Sequence, residues 1–180
     1  MCYNQQPLAT RHCLVRYINK SAIMFSMREK KIAIDMPLSE ITLRKYEKPY
    51  NLKQRELVRK LCLSTGLLQP GDSRDIVVDV LYVLLQAKKD NRELGSEEIR
   101  ERVIRTREEL NLALAGIASS NIRRQLKRLK DSLLVEKRLN AYRITEHSSL
   151  NEIFEERIEK FLLPSINSRI KEYLKRIDEL

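Results

Sequence analysis

The chain has 180 residues, with 35 Lys and Arg against 25 Asp and Glu, a net charge of +10. That length accommodates one domain with an appendage or two small domains, with a core that needs no disulfide staples. The positive balance selects a polyanionic partner, nucleic acid ahead of a membrane surface, and no run approaches the roughly 20 apolar residues that would cross a bilayer.

Gly and Pro are scarce, Trp is absent and a third of the residues are charged, a composition of helices with few loops and many surface ion pairs. Thermophile proteins share that charge-rich balance. Cys2, Cys13 and Cys62 are odd in number and lack CxxC spacing, so no disulfide framework is written here. His12 beside Cys13 lacks a fourth ligand at usable spacing, which leaves reduced thiols and no metal site. A soluble, cytoplasmic protein without a leader peptide is expected.

Residues 1–35 lack sustained periodicity and form an N-terminal extension, either a flexible basic arm or the product of a start codon upstream of the true one. Orderly capping and periodicity start only after "DMPLSEITL", and Met36 is a candidate start of the folded protein. In the N-terminal helical segment 36–72, Asn51 and Gln54 resemble a capping box, Leu57, Val58, Leu61 and Cys62 form a stripe, and Gly66 ends a helix over 52–65.

The next unit spans 73–145. "SRDIVVDVLYVLLQAKK" predicts a helix from Arg74 to Lys89, apolar on most faces and therefore central, with Asp72 or Ser73 as its cap. A turn over Asn91–Gly95 follows. "SEEIRERVIR" turns Ile99, Val103 and Ile104 inward, and Thr106 with Glu109 repeats the capping-box pattern, giving one interrupted helix or two short ones before Gly116.

Ile122, Leu126, Leu129 and Leu133 then share one narrow face of a helix over 119–131, with Arg124 opposite and Arg123, Lys127 and Arg128 around it. "LLVEKRLNAYRIT" alternates apolar and polar residues on both sides of a turn near Arg138 to Asn140, the signature of a β-hairpin over 133–145. Eight basic residues against two acidic ones lie between 118 and 145.

"GIASSNIRRQLKRLKDSLLVEKRLNAYRIT" resembles the recognition helix and wing of winged helix-turn-helix regulators of the bacterial and archaeal kind, as an architecture over 74–145 and as a pattern over 116–145. It departs from that pattern in the long stretch 96–116, in Ala118 at the cap position and in Ser132 where glycine often stands. The fold class implied is mainly α with a small β-hairpin, a winged helix-turn-helix domain plus C-terminal helices. The function implied is transcriptional regulation through double-stranded DNA, because a helix fits the major groove, where Arg pairs with guanine and Asn or Gln with adenine. By that resemblance Ser120, Asn121, Arg124 and Gln125 are the candidate base readers, and Arg123, Lys127, Arg128, Lys137, Arg138 and Arg143 the candidate backbone contacts. The alternative is a winged-helix interaction module in a replication, repair or RNA-processing complex.

Residues 146–180 turn slightly acidic. Leu150, Phe154, Ile158 and Phe161 keep heptad-like spacing, and Ile166, Ile170, Tyr173, Ile177 and Leu180 follow at steps of four and three, so two helices joined at Pro164 are expected. The second seam either forms a homodimer interface or packs on its own domain. With only His12 and His147, no glycine-rich phosphate loop and no metal-ligand cluster, the sequence is not read as an enzyme and calls for no cofactor.

Overall fold

Helix α1 (Gln54–Ser64) starts two residues later than the spacing predicts, because Asn51 sits in a turn at φ 60 and Lys53 takes the cap position. The Glu56 carboxylate accepts the Lys53 backbone N–H at 3.2 Å. Gly66, at φ +74, ends the helix as expected, and a Cβ there would meet Thr42 at 2.6 Å. That approach fastens the preceding segment, whose Arg44 donates to the Leu63 and Leu68 carbonyls. The computed structural model describes residues 36–180, of which Ser39–Leu180 form a single compact unit. The expectations for 1–35, including His12, Cys2 and Cys13, lie outside the described residues.

Helix α2 (Ile76–Lys89) runs through the middle of the unit, with Ile76, Val77, Val78, Val80, Leu81, Val83, Leu84 and Ala87 all buried. Its cap is Asp75 rather than Asp72 or Ser73. Strand β1 (Leu94–Gly95) occupies part of the expected turn, Leu94 fully buried. Helix α3 (Ser96–Glu109) is unbroken, so Thr106 lies in its last turn and the second capping box does not form. Helix α4 (Ser119–Asp131) has the predicted bounds, capped at Ala118. Leu133 falls outside it at φ 66, so the left-handed position that favours glycine lies one residue past Ser132, where the pattern expects it.

Strands β2 (Val135–Arg138) and β3 (Ala141–Ile144) form the expected hairpin with Val135 opposite Ile144 and Arg138 opposite Ala141. Strand β1 adds on the other side of β3, giving a three-stranded antiparallel sheet in the order β1-β3-β2. One core joins all of this: Val58, Cys62 and Leu68 from the first segment, α2, Ile99 and Val103 of α3, Ile122, Leu126 and Leu129 of α4, Ile144, and Ile153 beyond the hairpin. The divisions expected at 72/73 and 145/146 therefore do not separate cores. Burial raises the Cys62 thiol pKa to about 12, so it acts as an apolar filler.

The C-terminal region differs from two helices joined at a proline. Helix α5 (Leu150–Ile153) is opened by Ser149, whose Oγ accepts the Glu152 N–H, while the Glu152 carboxylate accepts the Ser149 N–H. The chain continues as π-helix over Phe154–Leu162 and then as α6 (Leu163–Asp178), with helical backbone angles at each junction. The wider π turns, in which the Leu163 N–H reaches the Ile158 carbonyl, lead into Pro164 in the first turn of α6, where proline is tolerated. They also change the phase of burial. Ile153 and Ile158, five residues apart, are buried, whereas Phe161 of the expected heptad set is 73% exposed.

No helix among the described residues is long and apolar enough to cross a membrane.

Candidate nucleic-acid interface

An ion network that sequence periodicity did not reveal joins the three helices that precede α4. Asp75 and Asp79 lie four apart on one face of α2, and Asp79 is fully buried. Arg55 of α1 donates from Nε to Asp79 and from Nη2 to Asp75, each at 2.7 Å. Arg107 of α3 donates from Nη1 to Asp79, and to Asp75 at 3.1 Å. Three helices are thereby clamped at one point. Burial alone would raise the Asp75 carboxyl, but the hydrogen bonds from Arg55 and Arg107 outweigh it and hold it below the ordinary carboxylate range. The signal lay in "DIVVDV", where a second aspartate interrupts an apolar run at one helical turn.

Helix α3 reaches the turn before α4 through two arginines. Arg107 Nε donates to the Ala113 carbonyl at 2.8 Å, and Arg100 Nε to the Ile117 carbonyl at 3.0 Å. Asn121 Nδ2 then donates to the Gly116 carbonyl at 2.7 Å, where Gly116 stands at φ +84 against Ile76. The long connection from α3 to α4 is thus tied down at three carbonyls. The stretch 96–116 is therefore one helix followed by an ordered connection.

The four candidate base readers separate accordingly. Ser120 and Arg124 are exposed. Asn121 is committed to the turn through Nδ2, and its Oδ1 accepts from Arg124 Nη2 at 2.8 Å and from Gln125 Nε2 at 3.0 Å. Gln125 is 7% exposed and its Oε1 accepts from Arg128, so the outward orientation expected for it is corrected: it is an internal strut. Asn121 at i−4 and Arg128 at i+3 hold it on the shoulder of the apolar stripe.

The basic residues also divide. Arg128 spends its second nitrogen on the Leu67 carbonyl at 2.5 Å, joining α4 to the segment after α1. Arg143 is enclosed by Glu136 at 2.6 Å and Glu93 at 3.1 Å, its side chain 17% exposed, so its expected role as a free wing cation is corrected to that of a sheet-bracing ion pair. Glu136 is held below its ordinary range because the Glu146 N–H and Arg143 outweigh the opposing effect of burial. Arg123 pairs with Glu97 and Arg138 with Glu93, both at 3.2 Å and both well exposed. Lys127, Lys130 and Lys137 meet no carboxylate among the described residues, and Lys137 lies 5.8 Å from the centre of the Tyr142 ring. Lys130, absent from the candidate set, belongs with these free cations by exposure.

The outer surface of α4 thus presents Ser120, Arg123, Arg124, Lys127 and Lys130, with Lys137 and Arg138 on the hairpin. The described residues contain no cluster of His, Cys, Asp and Glu able to hold a metal ion. Comparison with protein-family models, with curated proteins and with solved structures finds no match.

Proposed function

We propose that this chain is a winged helix-turn-helix protein that binds duplex DNA and acts as a transcriptional regulator, with α4 as the recognition helix and β2-β3 as the wing. The observation that carries this reading is the cationic outer face of α4, where Arg124, Lys127 and Lys130 stand exposed without carboxylate partners among the described residues. Such a face costs self-repulsion that a polyphosphate relieves. The element order from α2 to β3, with β1 pairing to the hairpin, supports the same reading. Ser120 and Arg124 are the base readers proposed, Asn121 and Gln125 orient them, and Arg123, Lys127, Lys130, Lys137 and Arg138 contact phosphates.

Fluorescence anisotropy with labelled duplexes tests this. Log affinity should fall linearly with log salt, at a slope near 0.9 per phosphate neutralised, and Lys127→Ala should lower that slope by about one phosphate's worth. Arg124→Ala should cost about 1–3 kcal/mol on a selected site and relax one base-pair preference. A salt-insensitive interaction, or variants that bind like the wild type, would sink the reading.

A second reading, an interaction module in a replication, repair or RNA-processing complex, rests on Leu139. This residue is 96% exposed at the hairpin tip and held at φ 51. Under that reading Leu139→Ser abolishes capture of the partner and leaves DNA affinity unchanged.

A further inference from the structure

Helix α6 has no buried residue, although it carries Ile166, Ile170, Tyr173, Leu174 and Ile177, and Leu180 follows just past its end. Ile170, Tyr173, Leu174 and Ile177 are each more than half exposed, and Leu180 is wholly so. Packing on its own domain, the alternative the sequence left open, is not what this helix does. The domain's apolar contacts to the C-terminal region stop at Leu150 and Ile153 of α5 and at Ile158, one turn and more before Pro164.

We infer that α6 is an interface to a second copy of this chain, formed as a parallel, in-register helix pair. The spacing is the first reason. Ile166, Ile170, Tyr173, Ile177 and Leu180 alternate steps of four and three, the repeat that keeps one seam facing a partner helix. Area is the second. The exposed parts of the seam residues and Leu174 sum to on the order of 600 Å² per chain, at the top of the range of about 300–600 Å² for the largest patch of an ordinary monomer. Two copies would bury at most about 1,200 Å², the lower end of specific, stable interfaces.

Charge favours one direction for that pair. Arg169 and Arg176 line one flank of the seam, and Asn167 and Leu174 line the other. In a parallel pair each flank meets the opposite flank of its partner, so Arg169 extends its apolar stem over Leu174 of the second copy. An antiparallel pair would set arginine flank against arginine flank. The intrahelical partners, Glu172 at 2.5 Å from Arg169 and Glu179 at 3.5 Å from Arg176, lie away from the seam and are too exposed to cancel that repulsion. The inference does not depend on DNA binding.

The test uses the full chain. Sedimentation equilibrium at tens of micromolar should give a dimer, and Ile170→Glu should give a monomer with unchanged far-ultraviolet circular dichroism, since α6 contributes nothing to the core. Direction is read from Leu180→Cys with Cys2 and Cys13 changed to serine. Parallel helices bring the two position-180 thiols together and should yield a covalent dimer under mild oxidation. Antiparallel helices centred on Tyr173 would hold them about 21 Å apart and give none. A monomeric wild type overturns the inference, and cosedimentation of that monomer with anionic vesicles would assign the seam to a lipid surface. A dimer that survives Ile170→Glu, or a variant that unfolds, overturns it as well, and absence of the covalent dimer overturns the parallel arrangement.

Discussion

Replacing Asp79 by alanine should destabilise the protein more than any exposed ion-pair change. Its carboxylate is fully buried and accepts from Arg55 at 2.7 Å and from Arg107, two guanidiniums that are themselves largely enclosed. Asp75 remains within reach of both, yet its side chain is 14% exposed and it supplies one carboxylate where two stood. Removing one partner from a buried ion cluster costs about 3–5 kcal/mol, because the remaining charge is left uncompensated. Set against a total stability of about 5–15 kcal/mol, that is about a fifth of it or more. The melting temperature should fall by roughly 10–15 °C for a unit of this size. Removing the exposed Arg123–Glu97 pair should cost at most about 1 kcal/mol. Urea unfolding followed by circular dichroism measures both. Asp79→Leu combined with Arg107→Met should recover most of the loss, since an apolar replacement of both partners leaves no orphaned charge between them. A cost below about 1 kcal/mol for Asp79→Ala would refute the claim that this cluster clamps α1, α2 and α3.

The same cluster governs acid stability. The Asp75 carboxyl is depressed in the folded state, so the unfolded chain binds its proton first as pH falls, and the stabilisation present above the unfolded value near 4 is lost on descending through the folded value. Asp75→Asn should therefore flatten the acid limb of a stability-against-pH curve, measured by urea midpoints between pH 2 and 6 (about the window set by the unfolded value and below). Gly116→Ala should destabilise by about 1–3 kcal/mol, because Gly116 is at φ +84 and its added Cβ would press on Asn121 Nδ2 and Ile76 Cγ1 at 3.2 Å. It should also weaken duplex binding beyond that of a stability-matched core variant, as the loss acts on the tether that orients Arg124.

What the chain's own sequence determined is local. Helix α4 has its predicted bounds because Ile122, Leu126 and Leu129 repeat at the helical period within one segment, and the β2-β3 hairpin follows from alternation about a short turn. The exposed seam of α6 was legible for the same reason. Tertiary structure decided the features that need a distant partner. Gln125 turns inward because Asn121 and Arg128 satisfy it beside the apolar stripe, and Arg143 loses its freedom to Glu93, fifty residues away along the chain. Leu94 and Gly95 become a strand because β3 presents an open edge to them. Asp79 is buried inside an apolar helix only because Arg55 and Arg107 arrive from two other helices, and a buried carboxylate survives where such partners offset its desolvation. Periodicity fixes which face of an element is apolar, whereas the fate of a charge depends on what the fold brings against it.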